Sequence, residues 1–162
     1  MLRTRTNPEL FGRGAETAGR TSLLLRSFEV WLLIAVAESL HGTLREALIA
    51  PRIGDFRARQ IAVFSGSAII IGIAFLFRKW INARSMSESL EAGAFWVVLT
   101  LAFEIGLGRL VMGLPWDRIL SDYDIVRGGL MPIGLVIMLL APAIAARLSA
   151  GSFMPHDNAD AL

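Results

Sequence analysis

Two glutamates occupy matching places in two apolar stretches of the chain. Glu38 is followed by Gly42, and Glu104 is followed by Gly108 at the same spacing. A carboxylate in a helix that crosses a membrane is costly, and such groups mark ion pathways and proton relays. Three basic side chains lie close by in the sequence, and together with the glutamates they make up what we call the polar cluster: Glu38, His41, Arg45, Glu104 and Arg109.

The polar cluster has two interpretations. In the functional one it is a proton or ion relay, or a polar substrate pocket, in which a glutamate changes protonation and His41 titrates near neutrality. In the structural one, Glu38 pairs with Arg109 and Glu104 with Arg45, and the two ion pairs determine how the helices dock. Two acids balanced by two arginines favour the structural interpretation. The functional and the structural interpretation both stay open.

The composition indicates the class of protein that must hold these residues. Hydrophobic residues make up 54% of the chain, and the mean hydropathy is +0.57. These values exceed those of an ordinary soluble domain, so we expect an integral membrane protein. The 162 residues have room for four helical crossings of about 20 residues each. The absence of cysteine excludes disulfides, thiolate metal sites and cysteine nucleophiles.

The helical periodicity predicts an all-α fold with four transmembrane helices in one domain, 23–148. The first span begins near Val30 and continues in helical register to Pro51. The other three spans are 61–77, 93–114 and 130–146. Residues 1–22 are predicted to form a disordered tail, and residues 149–162 a flexible one. Glu38, His41 and Arg45 share one face of the first span, and aliphatic residues cover the opposite face.

A short amphipathic segment precedes the last span. Within 116–123, apolar and polar side chains recur on opposite sides, which predicts a helix lying in the membrane surface. Asp117, Arg118 and Arg127 are the candidate polar residues of this outer loop. One hypothesis of function is an enzyme that acts at the outer membrane boundary. It would use Asp117 and Arg118 with His41 and Glu46.

The cations outside the spans are distributed unequally. Nine lie in the two tails and the middle loop, and five lie in the other two loops, which places both termini in the cytoplasm. The nine are Arg3, Arg5, Arg13, Arg20, Arg26, Arg78, Lys79, Arg84 and Arg147, and the five are Arg52, Arg57, Arg59, Arg118 and Arg127. Because these cations follow the loops instead of clustering on one face, no nucleic-acid partner is predicted.

The two halves of the chain also echo each other. Each has a polar-ended span, a proline (Pro51 or Pro115), an arginine-bearing loop and then a plain apolar span. This order is compatible with two tandem helical hairpins, related as a parallel repeat about an axis normal to the membrane. A true duplication and a chance coincidence both remain open.

No cofactor is predicted. A haem held between helices usually needs two axial ligands, and the only histidine besides His41 is His156 in the C-terminal tail. Asp117, Asp122, Asp124 and Glu46 show no familiar metal-ligand spacing. The sequence also contains no nucleophile elbow, phosphate loop, dinucleotide fingerprint or zinc-protease motif.

Three stretches carry a resemblance to a known family: ESLHGTLREALIAPRIGDFRARQIAVFSGS, AFEIGLGRL and DYDIVRGGLMPIGLVIMLLAP. The sequences of these stretches, and most of residues 28–148, resemble an uncharacterised family of small four-helix bacterial inner-membrane proteins. The resemblance implies a bacterial inner-membrane location and implies no activity. It assigns no role to any residue of the polar cluster.

Besides the enzyme, two hypotheses of function follow from the sequence. The first is a small multi-pass inner-membrane protein, an accessory or self-associating subunit in which the polar cluster is structural. Small residues that let helices approach closely favour assembly, either as a homo-oligomer or within a membrane complex in the lipid bilayer. The alternative is a small oligomeric transporter or channel with Glu38 and Glu104 as coupling or selectivity groups.

Overall fold

The structure, a computed structural model, describes residues 8–151, with side chains from 17 to 149. Throughout this range the regular structure is helical. Its six α-helices are α1 Pro8–Leu44, α2 Ala50–Ile53, α3 Asp55–Ile81, α4 Met86–Gly106, α5 Trp116–Ser121 and α6 Met131–Gly151. Two π-helical segments, π1 Arg45–Ile49 and π2 Leu107–Val111, continue α1 and α4, and a 3₁₀ turn, Ile125–Arg127, precedes α6. The predicted all-helical fold is confirmed.

Three helices of the described chain are long and apolar enough to cross a membrane. They cover Asp55–Ile81, Met86–Val111 and Met131–Ser149, which are the second, third and fourth predicted spans. The helix α1 is longer than any of these, but its polar residues keep it outside this group. The short amphipathic helix predicted at 116–123 is present as α5, which ends at Ser121.

The N-terminal part of the chain differs from the prediction of a disordered tail. From Pro8 onward the backbone is helical and runs without a break into the apolar part of α1. Helix propagation from an already formed segment costs far less than nucleation, which accounts for the extension. Arg20 also pairs with Glu91 of α4 and holds this part against the bundle. Residues 1–7 and 152–162 of the two predicted tails lie outside the described residues.

The four long helices pack as a ring. The helix α1 lies against α3 and α4, and α6 lies against the same two, so that α3 and α4 are diagonal although they are consecutive in the chain. A parallel repeat about a central two-fold axis would instead place α1 diagonal to α4. The tandem-repeat geometry expected from the sequence is therefore not the one observed. The two halves do share one feature, because α1 and α4 both end in a π-helical segment.

Aromatic side chains fill the contact between α1 and α4. Trp96 is fully buried, and its indole N–H donates to the Ser27 carbonyl at 2.8 Å. The Trp31 indole donates to the Thr100 hydroxyl at 3.0 Å. Buried tryptophans generally need such a partner for the N–H, and here each partner lies on the facing helix. These contacts set the depth of α1 against α4.

The bundle has two unlike ends. Near the start of α4, Trp80 donates to the Glu29 carboxylate at 2.8 Å. The other end, which we call the polar end, contains the last turns of α1, the start of α3, the end of α4, α5 and the segments that join them. All five members of the polar cluster lie there. The packing of the four long helices thus positions the residues that the sequence singled out.

Candidate functional site

The π-helical segments shape the polar end. A π turn holds one more residue than an α turn, so each segment rotates the residues that follow it by about 100° relative to an unbroken α-helix. Arg45 begins π1, and Arg109 lies within π2. Such π turns occur frequently at functional sites. Their presence beside both glutamates is the first structural sign that this end is specialised.

Glu38 faces a histidine and a serine. The His41 Nδ1 atom lies 3.4 Å from Glu38 Oε2, and the His41 Nε2 atom lies 2.9 Å from the Ser65 hydroxyl oxygen of α3. The Ser65 hydroxyl also lies within hydrogen-bond distance of the Ile61 carbonyl, at 3.2 Å. When Ser65 donates to that carbonyl, Nε2 must carry a hydrogen, and Glu38 and Nδ1 then share a single proton between them.

Glu104 faces a phenol. The Tyr123 hydroxyl, just beyond α5, donates to Glu104 Oε2 at 2.9 Å. Burial and the neighbouring Glu104 carboxylate raise the pKa of Tyr123 above its usual range. The structure thus places the two glutamates and His41 at one end of the bundle, and neither carboxylate has an arginine partner there among the described residues.

The predicted ion pairs do not form. Arg109 donates to the Leu114 carbonyl at 2.7 Å, and its guanidinium lies 5.0 Å from the ring centre of Trp116. The Arg45 side chain has no ion pair with any described residue, and its Nε has no hydrogen-bond partner there. The predicted pairing of Glu38 with Arg109 and of Glu104 with Arg45 was wrong. Arg109 instead contacts the segment that follows α4, and Tyr123 of the next loop takes the place beside Glu104.

Two buried polar atoms of the polar cluster have no hydrogen-bond partner among the described residues. They are Oε1 of Glu38 and Nε of Arg45. Neither atom is therefore held in place by a hydrogen bond from the described chain.

The outer-loop residues have separate surroundings. Asp117 is exposed and contacts no charged group of the described chain, whereas Arg127 lies beside Asp124 at 3.4 Å and is 88% exposed. Arg118 belongs to a network of four charges. Its Nη1 lies 3.1 Å from Asp122, and its Nη2 lies 3.6 Å from Asp55 at the start of α3.

Several residues of the site escaped the sequence-based prediction. Neither Tyr123 nor Ser65 was among the predicted polar residues. The spacing of Asp55 and Arg59, and of Arg118 and Asp122, is the i,i+4 spacing of helical ion pairs and was the available signal. No signal in the sequence showed that α3 and α5 would bring the two pairs together.

Metal ligands do not converge in this region. Within the part of the chain that the structure describes, no three histidine, aspartate or glutamate side chains form a group that could hold a metal ion. Glu46 is exposed. His156 lies outside the described residues.

Gly66 allows the approach of the Glu38 carboxyl to α3. A Cβ atom at this position would lie 2.6 Å from Glu38 Oε2, so we expect Gly66→Ala to displace the carboxyl and disturb its contact with His41. The expected loss of stability is about 1 kcal/mol, because a flexible side chain can move away. Thermal unfolding and the NMR chemical shifts of the His41 ring measure the two effects.

Gly72→Ala, in the same helix, is the matched control for this substitution. A Cβ atom there has open space around it. If Gly66→Ala changes neither the melting temperature nor the NMR chemical shifts of the His41 ring relative to Gly72→Ala, the Glu38 carboxyl does not contact Gly66 as described.

Comparison with known proteins adds no relationship. Neither a protein-family model, nor a curated protein, nor a solved structure matches this chain. The function must therefore be argued from the geometry of the site.

Proposed function

We propose that the chain is a small bacterial inner-membrane protein that conducts protons through the polar cluster, with α1 as a fourth transmembrane helix beside α3, α4 and α6. Support for the fourth span comes from packing, because α1 lies along α3 and α4, both of which are long and apolar enough to cross a membrane. The excess of cations in the tails and middle loop supports cytoplasmic termini. The resemblance noted above supports the bacterial inner membrane.

One observation carries the proposal: neither glutamate of the apolar region is paired with an arginine, and Glu38 lies beside His41, a side chain that can exchange a proton. A carboxylate paired with arginine is a stationary charge, since arginine does not release its proton. Glu38 contacts His41, and Glu104 accepts from Tyr123. Chains of acidic and histidine side chains are the usual components of proton pathways in membrane proteins.

The contacts suggest an order of transfer. A proton from the outer solution would bind the Glu104 carboxylate and pass through solvent water to Glu38, at the same end of the bundle. From Glu38 it would bind His41 at Nδ1, 3.4 Å away, and the imidazolium formed would release its Nε2 proton to water beside Ser65. The neutral ring then carries its hydrogen on Nδ1, and a change of tautomer returns it to Nε2 before the next proton arrives. The driving force is the proton gradient itself.

Flux measurement tests the proposal directly. The protein would be reconstituted in liposomes with an internal pH-sensitive dye, and proton uptake would be driven by a potassium diffusion potential. We expect Glu38→Gln to reduce the flux by about tenfold or more, as for removal of an essential proton-transfer group. Glu46→Gln is the matched control because Glu46 is exposed and contacts no charged group of the described chain.

Two outcomes would contradict proton conduction. One is a wild-type flux no greater than that of empty liposomes. The other is a Glu38→Gln variant that keeps its fold and conducts as well as Glu46→Gln. Thermal unfolding of both variants establishes that they are folded.

The second candidate function is an accessory or self-associating subunit. The observation that favours it is a stripe of exposed aliphatic side chains on α1, Leu33, Val36, Leu40 and Leu44, on the side away from the polar cluster. In a bilayer such a stripe contacts either lipid or another helix. Native mass measurement in mild detergent distinguishes the two, because a self-associating subunit appears as an oligomer and a lone bundle as a monomer.

A further inference from the structure

The helix α5 is joined to α3 by a closed cycle of four charges, which we call the latch: Asp55, Arg59, Arg118 and Asp122. Within the helices, Arg59 pairs with Asp55, and Arg118 pairs with Asp122 at 3.1 Å. Between the helices, Arg59 lies 3.0 Å from Asp122, and Arg118 lies 3.6 Å from Asp55. Acids and bases alternate around the cycle, so each charge has an opposite charge on both sides.

The latch positions Tyr123 over Glu104. Tyr123 directly follows Asp122, and its hydroxyl lies 2.9 Å from the Glu104 carboxylate. Ile119 of α5 lies close to Gly108, four residues beyond Glu104, where an added Cβ would be 3.3 Å from its Cδ1. The segment that carries α5 therefore lies across the end of α4, between Glu104 and the aqueous surface.

We propose that α5 and Tyr123 form a gate over Glu104, which the latch holds closed. This inference rests on the proposed function, since a gate matters only if Glu104 exchanges protons with the outer solution. In the closed state the Tyr123 hydroxyl donates a hydrogen bond to Glu104 Oε2. When the pairs Arg59–Asp122 and Arg118–Asp55 break, α5 moves away from α3 and the Glu104 carboxylate becomes accessible to water.

The ion pairs of the latch are weak enough to break and form again. Arg59 is 18% exposed, and the other three charges are 37 to 55% exposed. Ion pairs that are partly exposed are individually weak and are screened by salt. The cycle therefore holds α5 by the cooperation of several weak contacts, which can be broken without unfolding the bundle.

Two glycines flank the gate and serve as its hinges. Gly113 has φ +64° and precedes α5, and Gly128 has φ +85° and follows the 3₁₀ turn. These backbone conformations are readily accessible to glycine only. Hinges that absorb a loop movement are usually a few such residues at the ends of the moving segment.

Tyr123 is a direct reporter of the gate because it is the only tyrosine of the chain. The titratable and charged groups that face it are Glu104 of α4 and its neighbour Asp122. Asp122 in turn contacts Arg59 of α3. Burial first, and then Glu104, raise the pKa of the phenol, so movement of the gate away from α4 should reverse both effects.

The experiment compares Arg59→Gln with Arg127→Gln in the full chain. Arg59→Gln removes the pair between α3 and Asp122, directly after α5, and one pair within α3, whereas the Arg127 side chain pairs with Asp124 of its own turn. Ionisation of Tyr123 is followed by ultraviolet absorbance against pH, and its accessibility by the rate of nitration with tetranitromethane. We expect Arg59→Gln to lower the pKa of Tyr123 toward its ordinary value and to raise the nitration rate about fivefold. Arg127→Gln should change neither.

The outcomes separate the gate from the proposed function. If Tyr123 of folded Arg59→Gln ionises and reacts as in the wild type, there is no latch. If Arg59→Gln does not fold, the wild type in high salt replaces it, and an unchanged nitration rate there overturns the gate. Neither measurement involves proton flux. A gate that opens in a protein without flux therefore contradicts the proposed function alone.

Discussion

Gly93→Ala is expected to destabilise the bundle by about 3 kcal/mol, the upper end of the usual cost of overpacking. A Cβ atom on Gly93 of α4 would lie 2.0 Å from the Leu139 carbonyl oxygen of α6. This neighbour is backbone, so no side-chain rotation can relieve the clash, and the two helices must move apart. Thermal or denaturant unfolding in detergent, followed by tryptophan fluorescence, measures the change.

Gly72→Ala is the matched control for Gly93→Ala. Both glycines lie within long apolar helices, but a Cβ atom on Gly72 meets nothing within 4 Å. Alanine is a better helix former than glycine by about 0.5 to 1 kcal/mol, so this variant should be neutral or slightly stabilised. Equal melting temperatures for the two variants would contradict the close approach of α4 and α6.

Trp96→Ala is expected to be similarly severe, with a loss of about 3 to 5 kcal/mol. Trp96 is fully buried between α1 and α4, so truncation leaves a large cavity. It also removes the donor to the Ser27 carbonyl, which would remain buried without that hydrogen bond. Trp96→Phe should recover part of the loss, because the ring fills most of the space but cannot donate.

Trp80→Ala provides the comparison for Trp96→Ala. Trp80 is 55% exposed, and its indole donates to Glu29 at the surface of the bundle. Its truncation should cost about 1 kcal/mol or less, since an exposed hydrogen bond is replaced by water. A Trp96→Ala protein as stable as Trp80→Ala would mean that α1 and α4 do not pack through this residue.

These predictions concern packing, whereas the function depends on what the polar cluster is. The absence of the predicted arginine pairs changes the balance between its two interpretations. With arginine partners, Glu38 and Glu104 would have been stationary charges that hold the helices in place. Glu38 instead lies beside a histidine, which can exchange a proton, and Glu104 accepts a hydrogen bond from a neutral phenol. These contacts therefore favour proton conduction over the role of an accessory subunit.

Much of the fold could be predicted from the sequence because it depends on local patterns. Apolar runs of sufficient length correctly located α3, α4 and α6, and the amphipathic spacing near Trp116 located α5. The predicted proximity of Glu38 and His41 was also correct, because residues three apart on a helix share a face. What failed at the N-terminal end was the boundary of α1, which continues well beyond its apolar part.

The sequence alone determined that this is a helical chain with polar residues at one end of its apolar helices, since helical periodicity and hydropathy are properties of neighbouring residues. Only the tertiary structure decided the partners of those residues. The π turns at Arg45 and Leu107 changed the helical register, and the docking of α5 on α3 brought Tyr123 to Glu104. Such contacts depend on how separate helices pack, and the order of residues within one helix carries little information about them.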